Sequence, residues 1–326
     1  MPDAIVQITN LTHAYGDRLA LRNLNLSIAP ATIFGFLGPN GSGKTTLFRI
    51  LSTLIPLRDG SINLLGLDLK TQRDLIRRQI GIVFQAASLD KQLTAEENLR
   101  HQGHLYGLSG PALEQRIDEM LSRVGLSERP REYVSTFSGG MRRRVELAKG
   151  LLHRPRILLL DEPSTGLDPG ARIDLWKYLL EIRERDGVTI LVTTHLMDEA
   201  EHCDRLAILD HGQLIATGTP AALKEQIGGD IITLTTPNAP SLQRAIRDKF
   251  QIESVAVDNA LRIERDRGHE FIPQLVEAFP GLIRSISLGK PTLEDVFVRA
   301  TGRRFEDESS ADSGQSHVHV VSSLNR

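Results

Sequence analysis

Residues 38–46 read Gly-Pro-Asn-Gly-Ser-Gly-Lys-Thr-Thr and fit the phosphate-loop pattern G-x-x-x-x-G-K-[ST]. An apolar, β-rich run at 32–37 predicts a buried strand before the pattern, and the apolar spacing of 46–51 predicts a helix after it. Backbone N–H groups in such a glycine turn converge on one point, and the helix dipole adds partial positive charge there. We expect Lys44 to reach the terminal phosphates of a nucleoside triphosphate and the Thr45 hydroxyl to ligate Mg²⁺. The predicted nucleotide-binding residues of this loop are Gly38, Asn40, Gly41, Ser42, Gly43, Lys44, Thr45 and Thr46.

A second apolar run, 157–160, ends in two adjacent carboxylates, Asp161 and Glu162. Such a run is typical of a strand buried on both faces of a parallel sheet, and the carboxyl ends of these strands are where open α/β sheets bind ligands. Adjacent side chains leave a strand in different directions, which suits two separate roles. We expect Asp161 to hold Mg²⁺ through its water shell and Glu162 to act on the attacking water as base or orienting group.

Four more features follow the phosphate loop. Gln85 comes after a strand-like run, and Ser138-Gly139-Gly140-Met141 precedes a helical pattern with its serine in an N-cap-like position. Asp168 lies shortly after Glu162, and His195 ends another β-rich run. Each is a weak signal alone, because a strand-end histidine is more often structural than catalytic and Ser-Gly-Gly is usually a turn.

In this order and spacing, the motifs of residues 4–220 closely resemble the ATP-binding cassette (ABC) family. The resemblance implies an α/β phosphate-loop NTPase cassette, in which a mixed sheet carries an inserted helical subdomain. It implies that Gln85 touches Mg²⁺ and faces a membrane subunit, and that His195 senses the γ-phosphate. It also implies that Tyr15 stacks on adenine, although a tyrosine packed under a hairpin has the same sequence signature. The catalytic residues are then Lys44, Glu162 and His195, with Mg²⁺ held by Thr45, Gln85 and Asp161.

The same resemblance makes 138–141 the signature loop and Asp168 the D-loop aspartate. In the family, the signature loop caps the ATP that the phosphate loop of a second cassette holds. This chain has one of each, so we expect a head-to-tail homodimer with ATP between the chains. Phe137 and Met141 stand where the family usually has Leu and Gln, which puts only the edges of the loop in doubt. The expected contacts with the partner chain's ATP come from Ser138, Gly139, Gly140 and Asp168.

Composition limits the classes of function. The 326 residues carry a formal net charge of −2 without a strongly basic segment, which argues against a nucleic-acid partner. The densest basic run, the three arginines at 142–144, is expected to be a solvated helix face. A single cysteine, Cys203, rules out an internal disulfide and fits a reducing cytosol. The N-terminal residues lack signal-peptide features and no apolar run approaches the roughly 18 residues of a spanning helix. A membrane role therefore has to go through another chain.

The sequence predicts three regions. An ABC ATP-binding domain is expected at 1–228, with its helical subdomain at about 86–155. Beyond it, the order βαββαβ and a last helix suggest a small, ferredoxin-like α+β domain at 229–302. A regulatory, dimerisation or docking role and simple stabilisation are equally open for this domain. The polar residues 303–326 predict a disordered tail, in which His317 and His319 lack a third metal ligand.

Within the family, the motifs at 137–144, 165–169 and 291–297 resemble bacterial exporters of the daunorubicin-resistance (ABC-2) type. Those relatives work with a separate multi-spanning permease and export drugs, lipids or polysaccharides. The resemblance implies an ATPase subunit that the permease holds at the cytoplasmic face of the cell membrane. The alternative is a soluble ABC ATPase. Ribosome-associated members resemble two tandem cassettes and DNA-associated members carry a long coiled coil between phosphate loop and signature, whereas this sequence has one motif set and no sustained heptads there. A binding-only regulatory module is disfavoured by Glu162 and His195.

Overall fold

A computed structural model describes residues 4–257 and 259–305, and it divides into two compact units between Leu223 and Lys224. This division lies a few residues before the predicted domain boundary at 228/229, inside helix α8 (Pro220–Glu225). The preceding elements are β1 (Val6–Tyr15), β2 (Arg18–Ile28), β3 (Ile33–Leu37), α1 (Lys44–Leu51), β4 (Asp59–Leu64), β5 (Leu67–Asp68), α2 (Arg73–Arg77), β6 (Ile80–Val83), α3 (Ala95–Leu105), α4 (Gly110–Arg123), a 3₁₀ turn (Val134–Thr136), α5 (Gly139–Leu151), β7 (Ile157–Asp161), α6 (Pro169–Asp186), β8 (Thr189–Thr194), α7 (Met197–Ala200), β9 (Arg205–Asp210) and β10 (Gln213–Gly218).

Two sheets organise the first unit. A six-stranded sheet has the order β10-β9-β3-β8-β7-β6, in which only the β9–β10 pair is antiparallel. An antiparallel sheet has the order β2-β1-β4-β5. All residues of β3, β7 and β8 are buried, as expected for parallel strands covered on both faces. The carboxyl ends of β3, β6, β7 and β8 therefore lie at one edge of the sheet.

The core of the first unit lies between these sheets and helix α1. Phe34 and Phe36 of β3 pack at 5.3 Å between ring centroids, and Leu47 and Ile50 bury the apolar face of α1 against the same cluster. Burying one such side chain contributes about 1.5–3 kcal/mol. This packing fixes α1 against β3, and residues 38–43 connect the two elements.

The segment between β6 and β7 is helical. Its first helix, α3, begins with a capping box, in which the Thr94 hydroxyl accepts from the Glu97 N–H and the Glu97 carboxylate accepts from the Thr94 N–H at 2.8 Å. Arg100 then joins α3 to α4 by two hydrogen bonds to Glu114, at 2.9 and 2.8 Å. The segment ends with α5, which starts at the glycines of the predicted signature loop.

The second unit contains β11 (Asp230–Thr235), α9 (Ala239–Phe250), β12 (Val255–Val257), β13 (Ala260–Arg265), α10 (Gly268–Ala278), β14 (Ser285–Gly289) and α11 (Leu293–Thr301). Its sheet has the order β12-β13-β11-β14, and every neighbouring pair is antiparallel. This is the split βαβ arrangement of a ferredoxin-like domain. Its core is formed by the sheet with α9 and α10, around Phe271 and Leu275.

The chain remains ordered beyond α11 for a few residues. Phe305 is buried and meets Phe297 edge-on at 5.0 Å between ring centroids, and the Arg303 guanidinium lies 5.7 Å from the centre of the Phe297 ring. The predicted start of a disordered tail at residue 303 is therefore wrong for 303–305, because Phe305 supplies the apolar contact that the surrounding polar sequence lacks. The rest of that prediction, including His317 and His319, falls outside the described residues. Within 4–257 and 259–305, no helix combines the length and apolarity needed to cross a bilayer.

His153, just after α5, links the helical segment to the parallel sheet. Its ring stacks on Tyr106 with 3.7 Å between ring centroids, and its Nε2 lies 2.9 Å from the Ile80 carbonyl oxygen. Because a carbonyl only accepts, Nε2 carries the proton, and the buried Nδ1 has no partner among the described residues. Burial lowers the pKa of His153 from its ordinary value of 6.5 to about 4.

This pKa predicts an acid-sensitive first unit. Between pH 6.5 and 4 the unfolded chain binds a proton at His153 and the folded chain does not, so stability falls as the pH falls through that window. The expected loss of unfolding free energy at pH 5 is about 2 kcal/mol. His153→Gln, which keeps a side-chain N–H donor, should remove the part of this loss that comes from His153. Urea unfolding at pH 7 and pH 5, followed by the fluorescence of Trp176, measures it. Trp176 is the only tryptophan in the sequence and is buried in the first unit, so it reports that unit alone. An equal loss of unfolding free energy in the wild type and in the His153→Gln protein would contradict the assignment of this loss to His153.

Candidate active site

The predicted phosphate loop connects β3 to α1, and its glycines are required by geometry. Gly41 and Gly43 have φ angles of 81° and 102°, which side chains rarely adopt. A Cβ atom on Gly38 would lie 2.4 Å from the Leu209 carbonyl oxygen, and one on Gly43 would lie 2.6 Å from that of Ala20. Neighbouring backbone therefore leaves no room for a side chain at Gly38 and Gly43.

The start of α1 is suited to an anion. Gly43 occupies the N-cap position without a side-chain cap, and the first turn of the helix has no acidic residue. The first-turn N–H groups thus have no intrahelical partner, and the helix dipole is uncompensated. Lys44 is buried and its Nζ donates to the Gly38 and Pro39 carbonyls, at 2.6 and 2.9 Å. The buried Ser42 hydroxyl has no partner among the described residues. These donors fit the phosphates of a nucleotide.

A cavity of about 410 Å³ opens over this loop. Tyr15 lines it and is 46% exposed as a residue, which leaves its ring accessible for a base to stack on. Glu162 also lines the cavity, so the predicted catalytic carboxylate faces the same space as the predicted phosphate-binding groups. The lining residues are Tyr15, Arg18, Leu19, Ala20, Asn40, Gly41, Gly43, Lys44, Thr45, Thr46 and Glu162.

Asp161 ends β7 as a buried carboxylate. The Thr193 hydroxyl of the neighbouring strand β8 donates to its Oδ1 at 2.5 Å. Burial raises the pKa of Asp161, and the Glu162 charge acts in the same direction, whereas the Thr193 hydrogen bond and the Lys44 charge oppose them. A buried carboxylate with these neighbours is a suitable ligand for a cation, because a cation would remove the cost of burying its charge.

Glu162 follows in a conformation that is unusual for a residue with a side chain. Its φ angle is 42°, and its backbone N–H donates to Thr193 Oγ1 at 3.0 Å. Such a conformation costs about 1–3 kcal/mol and persists where the surroundings impose it. Gln85 Nε2 and Thr165 Oγ1 both donate to Glu162 Oε2, each at 3.3 Å. His195 Nδ1 lies 3.1 Å from Glu162 Oε1, but the angles are not those of a hydrogen bond. The ends of β6, β7 and β8 thus place three predicted residues in contact.

The predicted partner-chain residues lie elsewhere. Ser138 is the N-cap of α5, with its hydroxyl accepting from the Met141 N–H at 3.2 Å, and it is exposed. Asp168 is the N-cap of α6 and accepts from the Ala171 N–H at 2.9 Å. A Cβ atom on Gly140 would lie 3.0 Å from that of Ala171, so the two helix starts are adjacent. Ser138, Gly139, Gly140 and Asp168 do not line the cavity over the phosphate loop.

Two residues of the site are not predicted by the sequence patterns. Thr193 bonds both Asp161 and Glu162, and the only available signal is a polar residue in an otherwise apolar buried run. Arg143 was expected on a solvated helix face, and that prediction is wrong: the residue is buried and its side chain bonds the Phe84 and Pro163 carbonyls. The mistake arises because its partners lie far away in the sequence.

Comparison with known proteins gives consistent matches. The ABC transporter family matches residues 21–165. Daunorubicin resistance ATP-binding protein DrrA3 of Streptomyces coeruleorubidus is 37% identical over 313 residues, which cover 93% of this chain and 97% of that protein. Linearmycin resistance ATP-binding protein LnrL of Bacillus subtilis is 36% identical over 312 residues, covering 93% and 100%. A solved ATP-binding subunit of an ABC transporter superposes with a TM-score of 0.61 at 30% identity, covering 68% of this chain and 92% of the other.

These matches confirm the predicted α/β cassette fold and the predicted function, an ATPase subunit that powers an ABC exporter. They do not favour a soluble ATPase that works on ribosomes or DNA, because the similarity to ATP-binding proteins for resistance extends over nearly the whole chain. The chain belongs to the family of ATP-binding subunits of ABC transporters.

Proposed function

We propose that the cavity over the phosphate loop binds Mg²⁺–ATP and that Glu162 directs its hydrolysis. The observation that carries this proposal is the meeting of the phosphate loop with Glu162 in one cavity, backed by Asp161, Gln85 and His195. In the proposal, Lys44 and the loop N–H groups hold the phosphates and Tyr15 stacks on the base. The remaining nucleotide contacts are those of Gly38, Asn40, Gly41, Ser42, Gly43, Thr45, Thr46 and Gln85.

The metal ion fits the donors at the sheet edge. The Thr45 residue lines the cavity. Asp161 directly precedes Glu162 in the chain and Gln85 donates to Glu162, so a carboxylate and an amide oxygen would be available near it, and all three are ligand types that Mg²⁺ prefers. The bound ion supplies positive charge to the phosphate oxygens. Asp161 must be ionised to bind it, and Lys44 favours that ionised form.

Glu162 is placed to act on water rather than on phosphate. Its carboxylate accepts from Gln85 and Thr165, so one oxygen is oriented while the other faces His195. In the proposed mechanism, Glu162 orients the attacking water and takes up its proton, and His195 contacts the terminal phosphate. Backbone hydrogen bonds to Thr193 keep the carboxylate in position throughout.

A second copy of the chain completes the proposed site. The signature serine and glycines lie exposed at a helix start, outside the cavity over the phosphate loop of their own chain. An uncovered helix N-terminus with a serine cap is suited to a phosphate. Two chains related by a two-fold axis bring each signature loop over the partner chain's ATP, and Asp168 beside it.

We propose further that the subunit works with a separate multi-spanning permease at the cytoplasmic face of the cell membrane. Support comes from the relatives, whose names include daunorubicin resistance, linearmycin resistance and Nod factor export. Drugs, lipids or polysaccharides are the proposed substrate classes. The unit after Leu223 is proposed to be a regulatory, dimerisation or docking module.

Lys44→Ala is expected to weaken ATP binding, because it removes a charged donor from the phosphates. The expected loss of affinity is at least roughly 10-fold, from the usual energy of a charge-assisted hydrogen bond. Equilibrium titration with a fluorescent ATP analogue measures it, with the exposed Lys70→Ala as a matched control. Equal affinity of the Lys44→Ala protein and the wild type would refute the phosphate-loop assignment.

Glu162→Gln is expected to lower kcat by ~10²–10⁴, the usual effect of losing a general base. Because ATP still binds, the variant should accumulate as an ATP-bound dimer. Phosphate release and light scattering after size-exclusion chromatography measure the two effects. The double variant Lys44→Ala with Glu162→Gln is the control and should stay monomeric. Full residual turnover would remove Glu162 from its proposed role.

Affinity purification tests the transport partner. The Glu162→Gln protein with ATP, isolated from detergent-solubilised membranes of its own cells, should retain a multi-spanning membrane protein. The Lys44→Ala protein, which does not close on ATP, is the control for nucleotide-dependent association. Recovery of ribosomes or DNA complexes instead would replace the permease proposal with a soluble role.

A further inference from the structure

Arg143 connects the signature helix α5 to both sides of the catalytic carboxylate. Its Nε donates to the Pro163 carbonyl at 2.7 Å, and its Nη1 donates to the Phe84 carbonyl at 2.8 Å. Pro163 directly follows Glu162 in the chain, and Phe84 directly precedes Gln85. One guanidinium therefore holds the backbone next to the two residues whose side chains meet at 3.3 Å.

Glu146, one turn later on α5, completes this connection. Its Oε2 accepts from Arg143 Nη1 at 2.7 Å, and its Oε1 accepts from the Ser88 N–H at 2.8 Å. Lys149 Nζ donates to the Ser88 carbonyl at 2.8 Å. Residues 84–88, which include Gln85, are thus attached to α5 at both ends.

These contacts require an arginine. The Arg143 and Glu146 side chains are 9% and 5% exposed, and a buried ion pair gives little net stability compared with apolar residues of the same size. The planar fork of arginine can reach two carbonyls in different directions and a carboxylate at once, whereas the single ammonium of lysine cannot. Stability is therefore a poor explanation for this pair, and the geometry of Gln85 and Glu162 is a better one.

We propose that Arg143 is a positioning residue for ATP hydrolysis. It sets the distance between Gln85 and Glu162, and it links both to the helix that begins at Ser138, the serine proposed to contact the partner chain's ATP. Arg143 contacts neither the cavity over the phosphate loop nor the carboxylate of Glu162, so it acts through the backbone on either side. The inference rests on the catalytic role proposed above for Glu162.

Arg143→Lys, which keeps the charge and loses the fork, tests this role. The expected result is a fall in kcat of roughly 10- to 100-fold, the size of effect that small misplacements and lost supporting contacts produce. The affinity for the ATP analogue should stay within about 3-fold of the wild type, because the phosphate loop is untouched. Arg144→Lys is the matched control: Arg144 is the next residue on the same helix, is partly exposed and pairs with Asp174 on the surface, so its kcat should be unchanged.

A double-mutant cycle with Gln85→Ala separates positioning from general weakening of the fold. If Arg143 acts through Gln85, the loss from Arg143→Lys should be smaller on the Gln85→Ala background by roughly 3-fold or more. Radiolabelled phosphate release has the sensitivity for the slow variants. Glu146→Gln is a second variant that keeps the shape of the side chain. If Trp176 fluorescence shows that the Arg143→Lys protein is unfolded, Glu146→Gln is tested by the same measurements of kcat, ATP affinity and coupling to Gln85.

Three results would overturn the inference: an unchanged kcat, an equal loss on both backgrounds, or a parallel fall in kcat and ATP affinity. The Glu162→Gln variant is assayed in the same experiment. It distinguishes a failure of the positioning role of Arg143 from a failure of the proposed function. An inactive Glu162→Gln with a fully active Arg143→Lys removes only the positioning role. A fully active Glu162→Gln removes the catalytic assignment on which that role rests.

Discussion

The parallel pairing of β7 and β8 is the constraint on which the site depends. Asp161 pairs in register with Thr193, and in β8 the pairing with β3 places Thr194 beside Leu37. Gly38 after β3 and His195 after β8 therefore emerge at the same level of the sheet edge, and Glu162 after β7 emerges one residue before them. A register shift of one residue would turn every side chain of a strand to the opposite face. Thr193 would then no longer reach Asp161, and the Glu162 N–H would lose the hydroxyl that holds its unusual backbone conformation.

The electrostatics of the site follow from this placement. Burial at the end of β7 raises the pKa of Asp161, and the adjacent Glu162 adds negative charge to the same place. Lys44 and the start of α1 bring positive charge to the same region, and the Lys44 charge lowers that pKa. Lys44 of the predicted phosphate loop and the Glu162 carboxylate thus line one cavity of about 410 Å³, and Asp161 directly precedes Glu162 at the end of β7. Asp161 would help to hold Mg²⁺ there, and the bound ion would supply positive charge to the phosphates.

Local patterns predicted the fold more completely than they predicted the site. The phosphate loop and the two acids at the end of β7 could be predicted because each motif consists of consecutive residues. The strand or helix beside each motif is also recognisable from its apolar spacing. The elements of the second unit followed the order expected from their apolar spacing for the same reason. Arg143 could not be found, because three adjacent arginines on a helix normally point to solvent and its carbonyl partners lie at Phe84 and Pro163. Phe305 was missed because one aromatic residue in a polar run carries no periodicity.

The position of α5 relates the two halves of the proposed site. Its first turn presents Ser138 outward, at the surface where a second chain is proposed to bind. Its second turn carries Arg143 and Glu146 inward, to the backbone beside Gln85 and Glu162. A helix is stiff over this distance, so a displacement of its start by a partner chain would be passed on to the inner contacts. Closure of the proposed dimer and alignment of the Glu162 carboxylate would then depend on one rigid element.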